Sequence, residues 1–241
     1  MLAPPPPPTP RRPLTLPLAV LHEDEHLAVV RKPAGILVSG NAFKTVAAAL
    51  PQNLQPSILP DACAPWPVHR LDFPTTGVLL VGKTSAAIRE LGRAFAEHRV
   101  EKTYVAVVIG TPPESGRLTN AVDGKPAASA YEVLDVVASE RFGQLSLLRL
   151  QPSSGRRHQL RRHLAALGHP ILGDRDYGRE GSILHGKGLY LHALRLRLEH
   201  PATREAFEVR DDQVEKYRKI FARLGEALAG RRCPPRSSPA G

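Results

Sequence analysis

Cysteine is nearly missing from this chain: two in 241 residues, Cys63 and Cys233. They form no CxxC pair, which excludes a disulfide scaffold and fits a reduced cytoplasm. No stretch of the opening "MLAPPPPPTPRRPLTLP" is apolar over a length suited to a signal peptide or membrane span. The expected setting is therefore cytoplasmic, with no membrane partner. No glycine-rich phosphate loop is expected, since GxGxxG does not occur and the GxxxxGKT spacing at 77–84 falls on the strand-like apolar run "GVLLVGKT", and no GxSxG marks a serine nucleophile. None of the ten histidines sits in a His-x3-His pair on a helix. His158 and His163 are five apart and His169 follows a helix stop, so no metal site is expected. What remains is cofactor-free chemistry or none.

Three departures from an average globular composition stand out: 24 prolines, 5% aromatics and a formal charge of +10. A basic excess of this size suits a polyanionic partner, with nucleic acid the common one. Five consecutive prolines point to an extended arm over residues 1–16, and the Pro/Ser-rich basic tail, 229–241, reads the same way. Residues 17–228 between them show no repeat and no long linker, and are read as one domain.

Within that span, 18–35 reads as two short strands around an acidic turn, and 44–54 as a short helix stopped by Pro51. A strand over "GVLLVGK" leads into a helix over 85–100, with Ile88, Leu91 and Phe95 at helical spacing. Strands follow over 102–110, 129–139 and 142–152, then a helix over 156–168 ended by Gly168. A half-buried strand over 188–201 and an amphipathic helix over 211–230 complete the chain. Strands come in runs, so the expected class is α+β, a mixed and mostly antiparallel central sheet flanked by helices.

Two segments carry the chemistry. In "VHRLDFPTTGVLLVGK" (68–83) a single acid, Asp72, follows His69 and Arg70 at the mouth of an apolar strand. The plain reading is a turn, with Asp72 bonding its own backbone and Gly77 closing the bend. "RRHQLRR" (156–162) packs four arginines into a helix start. With Leu160, Leu164 and Leu167 facing the core, Arg161 stands about 100° round from Leu160, at the core edge. Arg162 points further outward, where it either contacts phosphate or forms part of a solvated basic face. A nucleophilic carboxylate must be ionised and oriented, and a nearby Arg does both.

The chain resembles the RluA-type pseudouridine synthases over about residues 18–205. The resemblance rests on five motifs in the family's order: "LHEDEHLAVVRKPAGILV", "HRLDFPTTGVLLVGK", "EKTYVAVVIG", "GKPAASAYEVL" and "SSGRRHQLRRHLAALGHPILGDRDYG". It implies the pseudouridine synthase catalytic fold and a cofactor-free isomerase that converts specific RNA uridines to pseudouridine. Asp72 would be the nucleophile, Tyr104 would stack on the base and help remove the proton from carbon 5, and Arg161 would pair with Asp72. Arg156 takes the family's second Arg position. The target base must leave its stack, and Arg70 would fill the gap. His69 and Thr76 support the loop at the substrate, while Arg157 and Arg162 belong to the basic surface that meets phosphate.

Thr76 and "SSG" stand where the family has Ser and Thr-Gly, each keeping a hydroxyl. Pro74 biases Phe73 toward extended backbone. A domain preceding the catalytic one has no room in 17 Pro-rich residues, so a catalytic-domain-only monomer acting on a tRNA or rRNA stem-loop is expected. The alternative is a non-catalytic RNA-binding protein or RNA chaperone that keeps the fold.

Overall fold

The computed structural model describes residues 16–42, 44–179, 183–184 and 186–229. The Pro-rich arm and the basic tail lie outside them, apart from Leu16 and Ala229. The described chain runs β1 (Ala19–Glu23), β2 (Leu27–Lys32), α1 (Val46–Asn53), β3 (Ala62–Pro67), β4 (Thr76–Thr84) and α2 (Ser85–Ala96). It continues β5 (Glu101–Ile109), β6 (Ser115–Leu118), β7 (Ser129–Ser139), β8 (Gly143–Pro152) and α3 (Gln159–Ala166). The last elements are β9 (Leu191–Glu199), β10 (Ala206–Arg210), α4 (Glu215–Arg218) and α5 (Leu224–Leu228).

All described strands join one sheet in the order β1-β2-β4-β9-β5-β8-β7-β6, with β10 added to β9 and β3 to β4. The pairings are antiparallel except β4–β9, which is parallel and only two residue pairs long, Thr76–His192 and Gly77–Ala193. The expected mixed, mostly antiparallel α+β sheet is what forms. β2 and β4 are buried on both faces, which explains why they read as unbroken apolar runs rather than alternating ones. One core lies on one side of β2 and β4 and includes Val46, Ala49 and Leu50 of α1. Another lies on their opposite side and includes Leu91 and Ala94 of α2. The largest core joins β5 and β8 to α3, α4 and α5. Tyr104 packs against the largest core and the α1 core alike, so it stands where the two halves of the sheet meet.

Four details depart from the sequence reading. α1 runs through Pro51 to Asn53 rather than stopping at the proline. The Asn53 side chain bonds the Ala49 carbonyl and the Leu54 N–H bonds that of Leu50, so the final turn closes without the missing Pro N–H. α3 begins at Gln159, three residues late, because His158 is left-handed at φ 54°. The helix read over 211–230 is two short ones, although Tyr217, Phe221, Leu224 and Leu228 keep its apolar spacing. The short edge pieces β3, β6 and β10 lacked an apolar alternation long enough to be read.

Candidate active site

The loop 72–75 is anchored by backbone rather than by its acid. The Thr75 N–H donates to the Asp72 carbonyl at 3.0 Å, closing the turn. The Asp72 carboxylate takes no part, and among the described residues no hydrogen bond engages it. A turn alone therefore does not account for Asp72. Beneath the loop lies Lys32, the fully buried last residue of β2. Its ammonium donates to the carbonyls of Pro33 (3.0 Å), Phe73 (3.1 Å) and Thr75 (2.8 Å). Burial pushes the Lys32 pKa down to about 8, against the opposing pull of the Asp72 charge.

Gly77 then lets β4 meet β9. At φ +113° a Cβ on this residue would lie 2.2 Å from the Ala193 carbonyl oxygen, so only glycine fits. Beyond this brief contact the neighbouring strands leave a cleft, and Asp72 stands in it with a side chain 16% exposed. A small pocket of about 80 Å³ lies on one side, lined by Leu71, Tyr104, Leu160 and Leu191 around the acid. A groove of about 660 Å³ lies on the other, flanked by Phe73, His158 and Arg161. Arg70, Asp72 and Arg157 line both spaces. Burial, reinforced by the Asp72 charge, raises the Tyr104 pKa well above its ordinary value, so its phenol stays neutral.

Arg161 does not form the expected pair with Asp72. Its side chain is only 2% exposed, and a buried guanidinium requires carboxylates in direct contact. Those are Asp174, bonded twice at 2.7 Å, and Asp176 at 2.6 Å. Burial alone would lower the Arg161 pKa, but the bonds to Asp174 outweigh it and the shift is upward. Asp174 also accepts the N–H groups of Asp176 and Tyr177, wrapping the "GDRDYG" turn around the guanidinium. The Tyr177 ring lies under that cation, 5.0 Å from its centre, and the Tyr177 hydroxyl meets His158 Nδ1 at 3.0 Å. His158 Nε2 reaches to 3.8 Å from Asp72. A chain Arg161–Tyr177–His158–Asp72 thus replaces the direct ion pair. Burial lowers the His158 pKa; Asp72 opposes the shift, while Arg161 and Arg157 add to it.

The other expected residues divide between cleft and scaffold. Arg70, Arg156 and Arg157 are exposed and line the cleft. Arg156 is set by Gln159, whose side chain accepts the Arg156 N–H and donates to the Ala128 carbonyl and Ser129 hydroxyl. His69 faces away, accepting the Leu80 N–H at 2.9 Å and stacking on Phe95 of α2. Burial pushes its pKa down to about 3, so it stays neutral. Thr76 uses its hydroxyl on His192 at 2.8 Å, and Arg162 turns to Asp123 at 2.6 Å. Neither lines the pocket or the groove. Lys32 and His158 went unassigned in the sequence, although a lysine ending an apolar strand and a histidine opening a basic helix were both visible.

Comparison with known proteins gives the family. The family described as RNA pseudouridylate synthase matches residues 26–166, which hold Asp72, Tyr104, His158 and Arg161. The dual-specificity RNA pseudouridine synthase RluA of Salmonella typhimurium is 37% identical over 201 residues, covering 77% of this chain and 88% of that protein. The tRNA pseudouridine synthase C of Yersinia pestis is 34% identical, covering 86% and 91%. The solved structure of human RNA pseudouridylate synthase domain containing 1 superposes with a TM-score of 0.70 at 26% identity, covering 92% of this chain and 97% of that one. By family match, sequence identity and fold alike, the chain belongs to the RluA-type RNA pseudouridine synthases, isomerases of RNA uridine.

Proposed function

We propose that the chain isomerises uridines in structured RNA, tRNA or rRNA, with Asp72 as nucleophile and the target base flipped into the small pocket. The observation that carries this reading is the position of Asp72. It is a carboxylate without a hydrogen bond among the described residues, on a clamped loop, at the boundary between a pocket that Leu71, Tyr104, Leu160 and Leu191 help line and an open groove. A flat base in the pocket packs against Tyr104 and Leu160, with its sugar and backbone toward the groove. Asp72 then attacks as the glycosidic bond breaks, the uracil turns, and carbon 5 bonds to the ribose.

The carbon 5 proton leaves last, once Asp72 is again a free carboxylate. The neutral Tyr104 hydroxyl accepts that proton as its own passes to Asp72, and N1 of the turned uracil, whose bond to ribose has broken, takes up a proton in its place. Arg70, exposed beside the acid, fills the gap left in the RNA stack. Arg156 and Arg157 hold phosphate, and Arg161 acts as a positioning residue through Tyr177 and His158. The base-flipping cost of a few kcal/mol is offset by these contacts.

The test uses tRNA and rRNA transcripts tritiated at carbon 5 of uridine, in the presence of chelator. The wild type is expected to release tritium to water, and Asp72→Asn to release none while binding RNA with nearly unchanged affinity. Release by the Asn variant at the wild-type rate would remove Asp72 from the chemistry.

A further inference from the structure

The groove beside Asp72 has an aromatic wall that the reaction at uridine leaves unused. Phe73 directly follows the acid and is 53% exposed, in a chain with only six Phe and one Trp. Its backbone is held from two sides: the Phe73 carbonyl accepts the Gly35 N–H at 2.8 Å and the Lys32 ammonium at 3.1 Å. Pro74 restricts it further. The tip of the ring comes within 4.0 Å of where a side chain on Gly35 would begin, so glycine leaves that side of the ring open. An apolar ring fixed in place with half its surface in water adds little to the core. The same groove is lined by Arg157 and Arg175, both exposed and without an ion pair among the described residues. The groove's other acids, Asp174 and Asp176, are both bonded to Arg161.

We infer that this groove is a second nucleotide subsite, in which an unpaired base next to the flipped uridine stacks on Phe73 while Arg157 and Arg175 hold the flanking phosphates. The inference rests on the proposed action on RNA uridines. A flat π surface in one groove with cations that have no ion pair among the described residues is complementary to the two parts of a single-stranded nucleotide, its base and its phosphate. Stacking accepts any base, so the subsite would require an unpaired neighbour rather than a particular sequence. It would thereby favour loops and bulges over continuous duplex.

Tritium release from the same transcripts tests this with Phe73→Ala, Phe73→Leu and Phe73→Tyr in the full chain. A stacking contact predicts a KM raised roughly tenfold in both the Ala and the Leu variants, with a smaller change in kcat. The Tyr variant should keep the wild-type KM, and the exposed position predicts little change in thermal midpoint for all three. A hairpin carrying 2-aminopurine beside the modified uridine should be quenched by the wild type and the Tyr variant but not by the Leu variant. A wild-type KM in the Ala variant, or in the Leu variant, overturns the subsite while leaving the isomerase reading intact. No release by the wild type from either RNA pool overturns both.

Discussion

Two clusters of opposite charge lie side by side on this molecule and are built on opposite principles. Around Arg161 every charged group is bonded: the guanidinium is buried and bonded to Asp174 and Asp176, and the aromatic ring of Tyr177 lies against it. Around Asp72 the charges are left open. Arg70, Arg157 and Arg175 line the cleft without ion pairs among the described residues, and His158 is the nearest cation-forming group to the acid, at 3.8 Å. The matched cluster fixes geometry, because a buried guanidinium without its carboxylates is too costly to keep. The open one retains its capacity for charge, which suits the proposed binding of RNA phosphate. Arg31 and Asp211 repeat the matched pattern at β2, bonded at 2.5 and 2.6 Å.

Breaking the matched cluster should have the largest effect. Asp174→Ala strands the Arg161 charge in the interior and should destabilise the fold by about 3–5 kcal/mol, read from urea unfolding. Replacing the pair together, Arg161→Met with Asp174→Leu, should recover much of that stability while lowering activity, because Tyr177 and His158 lose their support. Full activity in the double variant would show that the cluster does not position the cleft.

His69 offers a pH test of the scaffold side. Its folded pKa of about 3 lies below the ordinary value of 6.5, so between these two pH values the unfolded chain binds the extra proton. Stability therefore rises with pH across that window and is lost as pH falls through it. His69→Gln, which can still accept the Leu80 N–H but does not titrate, should flatten the slope of unfolding free energy between pH 3 and 6.5. An unchanged slope would place the acid sensitivity elsewhere.

The open cluster predicts salt effects of intermediate size. Arg157→Ala should raise KM several-fold and reduce the slope of log affinity against log salt by about one, as the loss of one phosphate contact requires. Arg162→Ala should change that slope less, since Asp123 already engages the guanidinium. Equal slopes for the two variants would erase the distinction between free and paired arginines.

The smallest effect concerns His158. Its pKa lies below 6.5 because of burial, so it is neutral near pH 7 and charges only on the acid side, where Asp72, Asp176, Arg157 and Arg161 are its charged neighbours. Once protonated it draws on the Asp72 carboxylate and weakens it in its proposed role as nucleophile. His158→Gln should therefore soften the acid limb of the activity profile, with a modest loss of rate at neutral pH.

Much of this was legible in the chain. The apolar runs of β2 and β4, the helical spacing of Ile88, Leu91 and Phe95, and the Asp72 loop could all be read because each is a local pattern. The class of sheet followed from the order of strands. Thr76 and Arg162 were placed at the substrate, yet a hydroxyl or guanidinium bonds the nearest suitable group, here His192 and Asp123, which are remote in sequence. The helix start was misplaced for a comparable reason, since nothing in "RRHQLRR" announces a left-handed His158.

By itself, the sequence determined which segments bury themselves and that an acid would stand at the mouth of a strand. Only the tertiary structure decided the partners. A buried charge takes the counter-charge that folding brings within reach, and Asp174 and Asp176 lie 13 and 15 residues beyond Arg161. The close meeting of Gly77 with Ala193, across more than a hundred residues, likewise decided where the sheet opens and Asp72 faces out.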